Sequence, residues 1–128
     1  MAGKYENGVF VNDPNAVSYV APERVELVCD GASGDQALEC EIAKEMVRLF
    51  ALFKQRQKKY GPGNISAFGD MGVCVRASDK LARLRHAYFS GGDAAASDES
   101  MDDSWSDLSV YGTIALVARR GVWPGYSK

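Results

Sequence analysis

The sequence predicts an all-α fold, a bundle of three main helices with a poorly ordered N-terminal arm. Three observations support this fold class. Apolar residues recur at helical spacing in three long segments, and stretches rich in glycine separate those segments. Little of the chain shows the alternating pattern of a strand. We therefore divide the chain into an N-terminal extension, residues 1–35, and a helical domain, residues 36–128.

Composition limits the classes of function. The net charge is -2, so a broad surface for nucleic acid is not indicated. No apolar run approaches the roughly 18 residues that cross a bilayer, and the N-terminal residues lack the apolar region of a signal peptide. Cys29, Cys40 and Cys74 are odd in number and fit no metal spacing, which predicts reduced thiols and a cytoplasmic protein.

The first elements follow from local composition. Residues 1–20 are polar and turn-rich, and we expect a loose arm with a short strand around residues 8–11. The first strong helix is predicted over residues 36–60, with Ser33 or Asp35 as the N-cap and the run GPG as its end. Its apolar face is formed by Leu38, Ile42, Leu49 and Phe53.

The second half of the chain contains the other two helices. A glycine-rich loop over residues 60–72 is followed by a predicted helix over residues 73–90. An acidic linker, residues 91–100, leads to a third helix over residues 101–120. Lys80 lies inside the apolar face of the second helix and Arg76 borders it.

Two aspartates of the third helix lie where apolar residues are expected. Asp103 and Asp107 fall inside the apolar arc, one turn apart and in line with Ile114. A buried carboxylate requires a partner, because an unpaired charge in the core is strongly unfavourable. One interpretation is a magnesium site with Glu99 one turn upstream. The other is an ion pair with basic side chains, for which the candidates are Arg56, Arg76, Lys80 and Arg83.

Further groups suggest a ligand pocket. Arginine and lysine bind phosphates, although long basic side chains also extend into solvent from an apolar face. Glu41 and Glu45 are spaced to share one helix face, either as metal ligands or as local partners of Lys44 and Arg48. Aromatic and amide side chains suited to a nucleobase, or to an ordinary core, are Tyr60, Asn64, Phe68, Trp105 and Tyr111.

Three segments in order resemble a known family. They are KYGPGN, FGDMGVCVRASDKLARL and ESMDDSWSDLSVYGTIAL. Together they are similar to the nucleotide modification associated domain, a group of small, often phage-encoded proteins. That group is related to the all-α nucleoside triphosphate pyrophosphohydrolases, the MazG and dimeric dUTPase group. The resemblance covers about residues 53–124.

The resemblance implies a bundle completed by homodimer or homotetramer assembly, with a nucleotide pocket between helices. It implies Mg²⁺-dependent hydrolysis of a nucleoside triphosphate to the monophosphate and pyrophosphate, in the host cytoplasm if the protein is phage-encoded. The alternative is an inactive interaction, nucleotide-sensing or sequestering module. The leading interpretation is the nucleotide-binding protein of the pyrophosphohydrolase type, and the absence of an ExxE element from the second helix is the feature that favours the alternative.

The site residues are assigned by role. The predicted magnesium ligands are Glu45, Glu99, Asp103 and Asp107. The predicted catalytic residues are Glu45 and Lys80. The predicted nucleotide-binding residues are Lys54, Tyr60, Asn64, Arg76, Lys80, Arg83 and Tyr111.

Overall fold

The computed structural model describes residues 3–6, 9–12, 26–89 and 98–126, with side chains over residues 26–89 and 100–126. Three long helices dominate these residues, which confirms the predicted all-α class and the three main helices. The elements are β1 (Gly3–Glu6), β2 (Val9–Asn12), α1 (Asp35–Tyr60), α2 (Gly63–Ser66), α3 (Gly69–Phe89) and α4 (Asp98–Arg119).

The N-terminal residues contain two strands where the sequence predicted one. Strands β1 and β2 pair antiparallel, with Gly3 opposite Asn12 and Glu6 opposite Val9. The short strand expected near residues 8–11 is therefore one half of a hairpin. The part of the predicted arm after β2, residues 13–20, lies outside the described residues.

Helix α1 matches the predicted span closely and begins differently. Neither predicted cap side chain is used, because Gly34 occupies the N-cap without a side-chain hydrogen bond. Asp35 lies instead in the first turn, where a carboxylate is favoured by the helix dipole. At the other end the Gly61 N–H donates to the Gln57 carbonyl at 2.8 Å, with Gly61 at a φ of 68°. A positive φ is accessible to glycine at little cost, so the GPG stop signal is confirmed.

The predicted loop over residues 60–72 is largely helical. It contains the single turn α2, and α3 begins at Gly69 rather than at residue 73. Two interactions hold α2 in place. Ile65 is buried in the core, and the indole N–H of Trp123 donates to the Pro62 carbonyl at 3.1 Å. Both depend on tertiary packing, which overrides the loop composition.

The core lies where α3 and α4 pack against each other. Its buried residues are Ile65, Val73, Val110, Ile114, Ala118 and Trp123. The second half of α1 packs on this core through Leu49, Leu52 and Phe53. The first half does not, since Leu38 and Ile42 are both exposed. The expectation that these two residues face the core is therefore wrong.

The residues after α4 fold back onto the α2–α3 region. The Trp123 ring meets the Phe53 ring edge-on, with centroids 6.2 Å apart. The Tyr126 hydroxyl donates to Asp70 at 3.0 Å, and Arg119 pairs with the other oxygen of Asp70 at 3.2 Å. The hydrogen bond from Tyr126 lowers the pKa of Asp70, and the same bond raises the pKa of Tyr126.

The cysteines correct one prediction. Cys29 and Cys40 form a disulfide, with their Cα atoms 5.7 Å apart, and Cys74 is free and exposed. The expectation of three reduced thiols is wrong for the first two. The chain from residue 30 to residue 34 turns back before α1, which brings Cys29 beside the second turn of that helix. None of the described helices has the length and hydropathy that crossing a membrane requires.

Candidate functional site

A cleft of about 580 Å³ opens between the second half of α1, α2, α3 and α4, and we call it the cationic cleft. Helix α1 supplies one wall, and the turn after it supplies the rim. Helices α3 and α4 form the opposite wall. The lining residues are Phe53, Arg56, Gln57, Tyr60, Gly61, Asn64, Ile65, Arg76, Lys80, Asp107, Val110, Tyr111 and Ile114.

Asp107 of α4 lines this cleft and joins three helices through its ion pairs. Asp107 is 5% exposed, and each of its two carboxylate oxygens is paired with a cation. Arg56 of α1 donates to Oδ1 and Lys80 of α3 pairs with Oδ2, the latter at 2.9 Å. Of the two interpretations of the buried aspartates, Asp107 fits the ion pair with basic side chains.

The pairing sets the protonation state of Asp107. Burial alone would raise the pKa of its carboxyl group. The hydrogen bonds and charges of Arg56 and Lys80 outweigh burial, so the pKa is lowered from its ordinary value. Asp107 is therefore ionised at neutral pH, and its negative charge balances one of its two cationic partners.

The cleft carries excess positive charge. Three cations, Arg56, Arg76 and Lys80, line it against the single carboxylate of Asp107. Arg76 is exposed and forms no ion pair with any side chain that the structure describes. A phosphate that enters the cleft would therefore meet a guanidinium group with its donors available.

The neutral groups of the cleft suit a planar ligand. Tyr60 and Tyr111 offer aromatic surface from α1 and α4, and the amides of Gln57 and Asn64 offer both donors and acceptors. Binding sites for small ligands combine apolar surface with a few polar groups in clefts of about 300–1,000 Å³. The cationic cleft falls within that range.

Five of the seven predicted nucleotide-binding residues meet in this cleft. They are Tyr60, Asn64, Arg76, Lys80 and Tyr111. Lys54 lies outside it, with its ammonium group 5.9 Å from the centre of the Phe50 ring. Arg83 also lies outside and lines a different pocket between α3 and α4, beside Ser100 and Met101.

The predicted magnesium ligands are not brought together. Asp107 is in the cationic cleft, whereas Glu45 and Asp103 line a separate pocket between α1 and α4. Glu45 accepts a hydrogen bond from Arg48 at 2.9 Å, so this predicted catalytic residue lies apart from Lys80. The side chain of Glu99 is outside the described part. Across the residues that the structure describes, no three metal-binding side chains cluster.

Asp103 corrects the helical-arc prediction. Its side chain is exposed, and the buried positions beside Asp107 are taken by Ser104 and Ser106. Ser106 accepts a hydrogen bond from Arg48 at 2.9 Å, so its hydroxyl is satisfied. Asp103 lies one turn before Asp107, where the side of α4 toward α1 opens into the separate pocket.

Two residues that line the cleft are not among the predicted site residues. The sequence pattern places Phe53 in the core and does not distinguish Gln57, yet both line the cleft. Arg56 also lines the cleft, and the sequence offers it both as a phosphate-binding residue and as an ion-pair partner of the aspartates. Phe53, Gln57 and Tyr60 are spaced at three and four residues, so extending the face of Tyr60 back along α1 would have found them.

Comparisons with known proteins identify no relative. No family model, no curated protein and no solved structure matches this chain significantly. The resemblance to the nucleotide modification associated domain therefore stays a prediction, and the function is argued from the cationic cleft itself.

Proposed function

We propose that this protein binds a nucleotide, most favourably a nucleoside triphosphate, in the cationic cleft. The observation that carries the proposal is the composition of the cleft. It combines three cations and one carboxylate with two tyrosines and two amides. Excess positive charge favours a polyphosphate, and aromatic surface with amides favours a base.

Each group has a distinct part in this proposal. Arg76 contacts phosphate first, because it is exposed and its guanidinium has no described carboxylate partner. Lys80 and Arg56 add positive charge while they remain paired with Asp107. Tyr60 and Tyr111 pack against the base, and Asn64 donates or accepts hydrogen bonds at its edge.

The cleft favours binding over hydrolysis. A metal-dependent pyrophosphohydrolase needs several carboxylates around Mg²⁺ to position attacking water at phosphorus. The described part of the cationic cleft has one carboxylate, Asp107, and both of its oxygens are paired with cations. We therefore put a nucleotide-sensing or sequestering module first, and cleavage of the triphosphate to monophosphate and pyrophosphate second. A second copy of the chain remains the proposed protein partner.

Isothermal titration with a panel of deoxynucleoside and ribonucleoside triphosphates tests binding, using Arg76→Ala with Arg83→Ala as the matched control. Both variants remove one arginine from α3, but only Arg76 lines the cleft. A charge-assisted hydrogen bond contributes about 1.5–3 kcal/mol, so Arg76→Ala should weaken binding roughly 10- to 100-fold. Arg83→Ala should change affinity less than about threefold. Equal losses in both variants would place the phosphates outside the cleft.

Pyrophosphate detection on the same samples separates the two functions. Binding without pyrophosphate release, with or without Mg²⁺, supports a sensing or sequestering module. Magnesium-dependent release that is lost in Lys80→Ala supports the hydrolase. The absence of binding to every nucleotide of the panel would overturn the proposal.

A further inference from the structure

The first half of α1 presents an exposed apolar row that the cleft does not use. Leu38, Ile42, Met46 and Phe50 follow one another at intervals of four residues and are 61%, 50%, 65% and 62% exposed. Residues four apart form one of the ridges by which helices pack. We call these four residues the α1 ridge. Val47, which is 69% exposed, flanks it.

Charge is distributed unequally along the same helix. Residues 35–47 carry four carboxylates and one lysine, whereas residues 48–60 carry five basic side chains and no acidic one. The local pairs Lys44–Glu41 and Arg48–Glu45 neutralise only part of this difference. One end of α1 is therefore acidic and the other basic.

We infer that two copies of this chain pair through the α1 ridge, with the two α1 helices antiparallel about a two-fold axis near Met46. A two-fold interface must be self-complementary, since the same surface is used on both copies. The antiparallel arrangement places the acidic half of each α1 beside the basic half of the other. A parallel arrangement would place like charges together.

The packing geometry agrees with this arrangement. Ridges formed by residues four apart interdigitate with the same ridges of a second helix at a crossing angle of about 50°. Glu39 lies seven residues before Met46, and Lys54 lies eight residues after it. Each Glu39 is therefore level with Lys54 of the other copy, within the reach of two long side chains.

The exposed area is sufficient for such an interface. An aromatic side chain presents about 150–250 Å², so Phe50 alone withdraws about 100 Å² from water when it is covered. At about 100 Å² for each of the five side chains, the ridge and Val47 together bury about 500 Å² on each copy, or about 1,000 Å² in the pair. This is the lower bound for a specific interface, which predicts a reversible dimer.

Sedimentation of the full chain over a range of concentrations tests the inference, with Met46→Asp as the disrupting variant and Val75→Asp as its control. Both place a carboxylate at an exposed apolar position of a helix, but Val75 is on α3. We expect a concentration-dependent dimer for wild type and Val75→Asp, and a monomer for Met46→Asp with unchanged helical content. A wild-type chain that is monomeric at all concentrations overturns the inference. That result is expected if another segment of the same chain covers the α1 ridge. A dimer that persists in Met46→Asp overturns it as well.

A charge exchange tests the antiparallel orientation. Glu39→Lys or Lys54→Glu alone places like charges together and should weaken the dimer about two- to fivefold. The double variant should restore the wild-type dissociation constant, because the opposite charges meet again. Met46→Cys in a Cys74→Ser background should also cross-link to itself under oxidation. A double variant weaker than either single one, together with no cross-link, would overturn the antiparallel arrangement.

This inference specifies the interface for the second copy proposed above, and it can fail independently of nucleotide binding. Met46 lies outside the cationic cleft, so monomeric Met46→Asp should bind nucleotide in the titration as wild type does. Loss of nucleotide binding in a chain that still forms dimers would count only against the cleft.

Discussion

Replacing Asp107 with asparagine should destabilise the protein strongly. The substitution keeps the shape of the side chain and removes the charge that holds Arg56 and Lys80. Breaking a buried ion pair costs about 3–5 kcal/mol when the remaining charge stays buried. Here the Lys80 and Arg56 side chains are 21% and 39% exposed, so both regain part of their hydration. We therefore expect a loss of about 2–3 kcal/mol in the free energy of unfolding.

Thermal and urea unfolding measure this loss, with Asp103→Asn as the matched control. At about 4 °C per kcal/mol for a domain of this size, Asp107→Asn should lower Tm by roughly 8–12 °C. Asp103 is exposed on the same helix, and its substitution should change stability by less than about 0.5 kcal/mol. Similar Tm values for the two variants would refute the assignment of Asp107 as the centre of a buried network.

The same substitution has a defined pH dependence. The pKa of Asp107 is lowered in the folded protein, so its ion pairs contribute stability above the unfolded pKa of about 3.9. That contribution is lost as the pH falls through the folded pKa. The difference in stability between wild type and Asp107→Asn should therefore be constant from neutral pH to about pH 5 and shrink below about pH 4. A difference that disappears near pH 6 would contradict the pairing.

The remaining predictions concern the C-terminal residues and the cysteines. Gly69→Ala should cost more than about 1 kcal/mol in chemical unfolding, because the φ of Gly69 is 62° and a Cβ there would overlap the Tyr126 ring. Its control, Gly112→Ala, places a methyl group in open space within α4 and should stabilise by about 0.5–1 kcal/mol. Tyr126→Phe should lower the free energy of unfolding below pH 10, since the neutral hydroxyl of Tyr126 donates to Asp70. The difference in stability between wild type and this variant should disappear as the pH rises through the raised pKa of Tyr126. Thiol titration of the unfolded, unreduced chain should detect one thiol, that of Cys74, and titration after reduction should detect three thiols. Detection of three thiols before reduction would exclude the disulfide.

The helices were predictable because their signals are local. Apolar periodicity and the run GPG defined α1 to within one residue. The turn α2 was not predictable, because its residues are glycine-rich and its place in the fold depends on tertiary contacts of Ile65 and Pro62. The disulfide was missed for a related reason. Whether two cysteines 11 residues apart meet depends on the path of the loop between them.

The site was predicted in part, and the errors share one cause. Helical periodicity identifies the face on which a residue lies, but not its height relative to a crossing helix. Arg83 follows Arg76 on nearly the same face of α3, and Asp103 precedes Asp107 on nearly the same face of α4. Both line other pockets, Arg83 beside Ser100 and Asp103 beside Glu45 of α1. The sequence pattern gives their charge and the helix face on which they lie, but not their position along the helix axis.

The contact between Trp123 and Pro62 sets the order in which the cleft is completed. The two residues are 61 positions apart, and the Trp123 ring also supports Phe53 on the wall of the cleft. Synthesis proceeds from the N-terminus, so α1 and the rim of the cleft leave the ribosome well before Trp123 does. A nascent chain that ends before residue 123 lacks this support. The cationic cleft is thus completed only after Trp123 has left the ribosome, and a ribosome-stalled fragment ending at residue 120 would have an unfinished cleft.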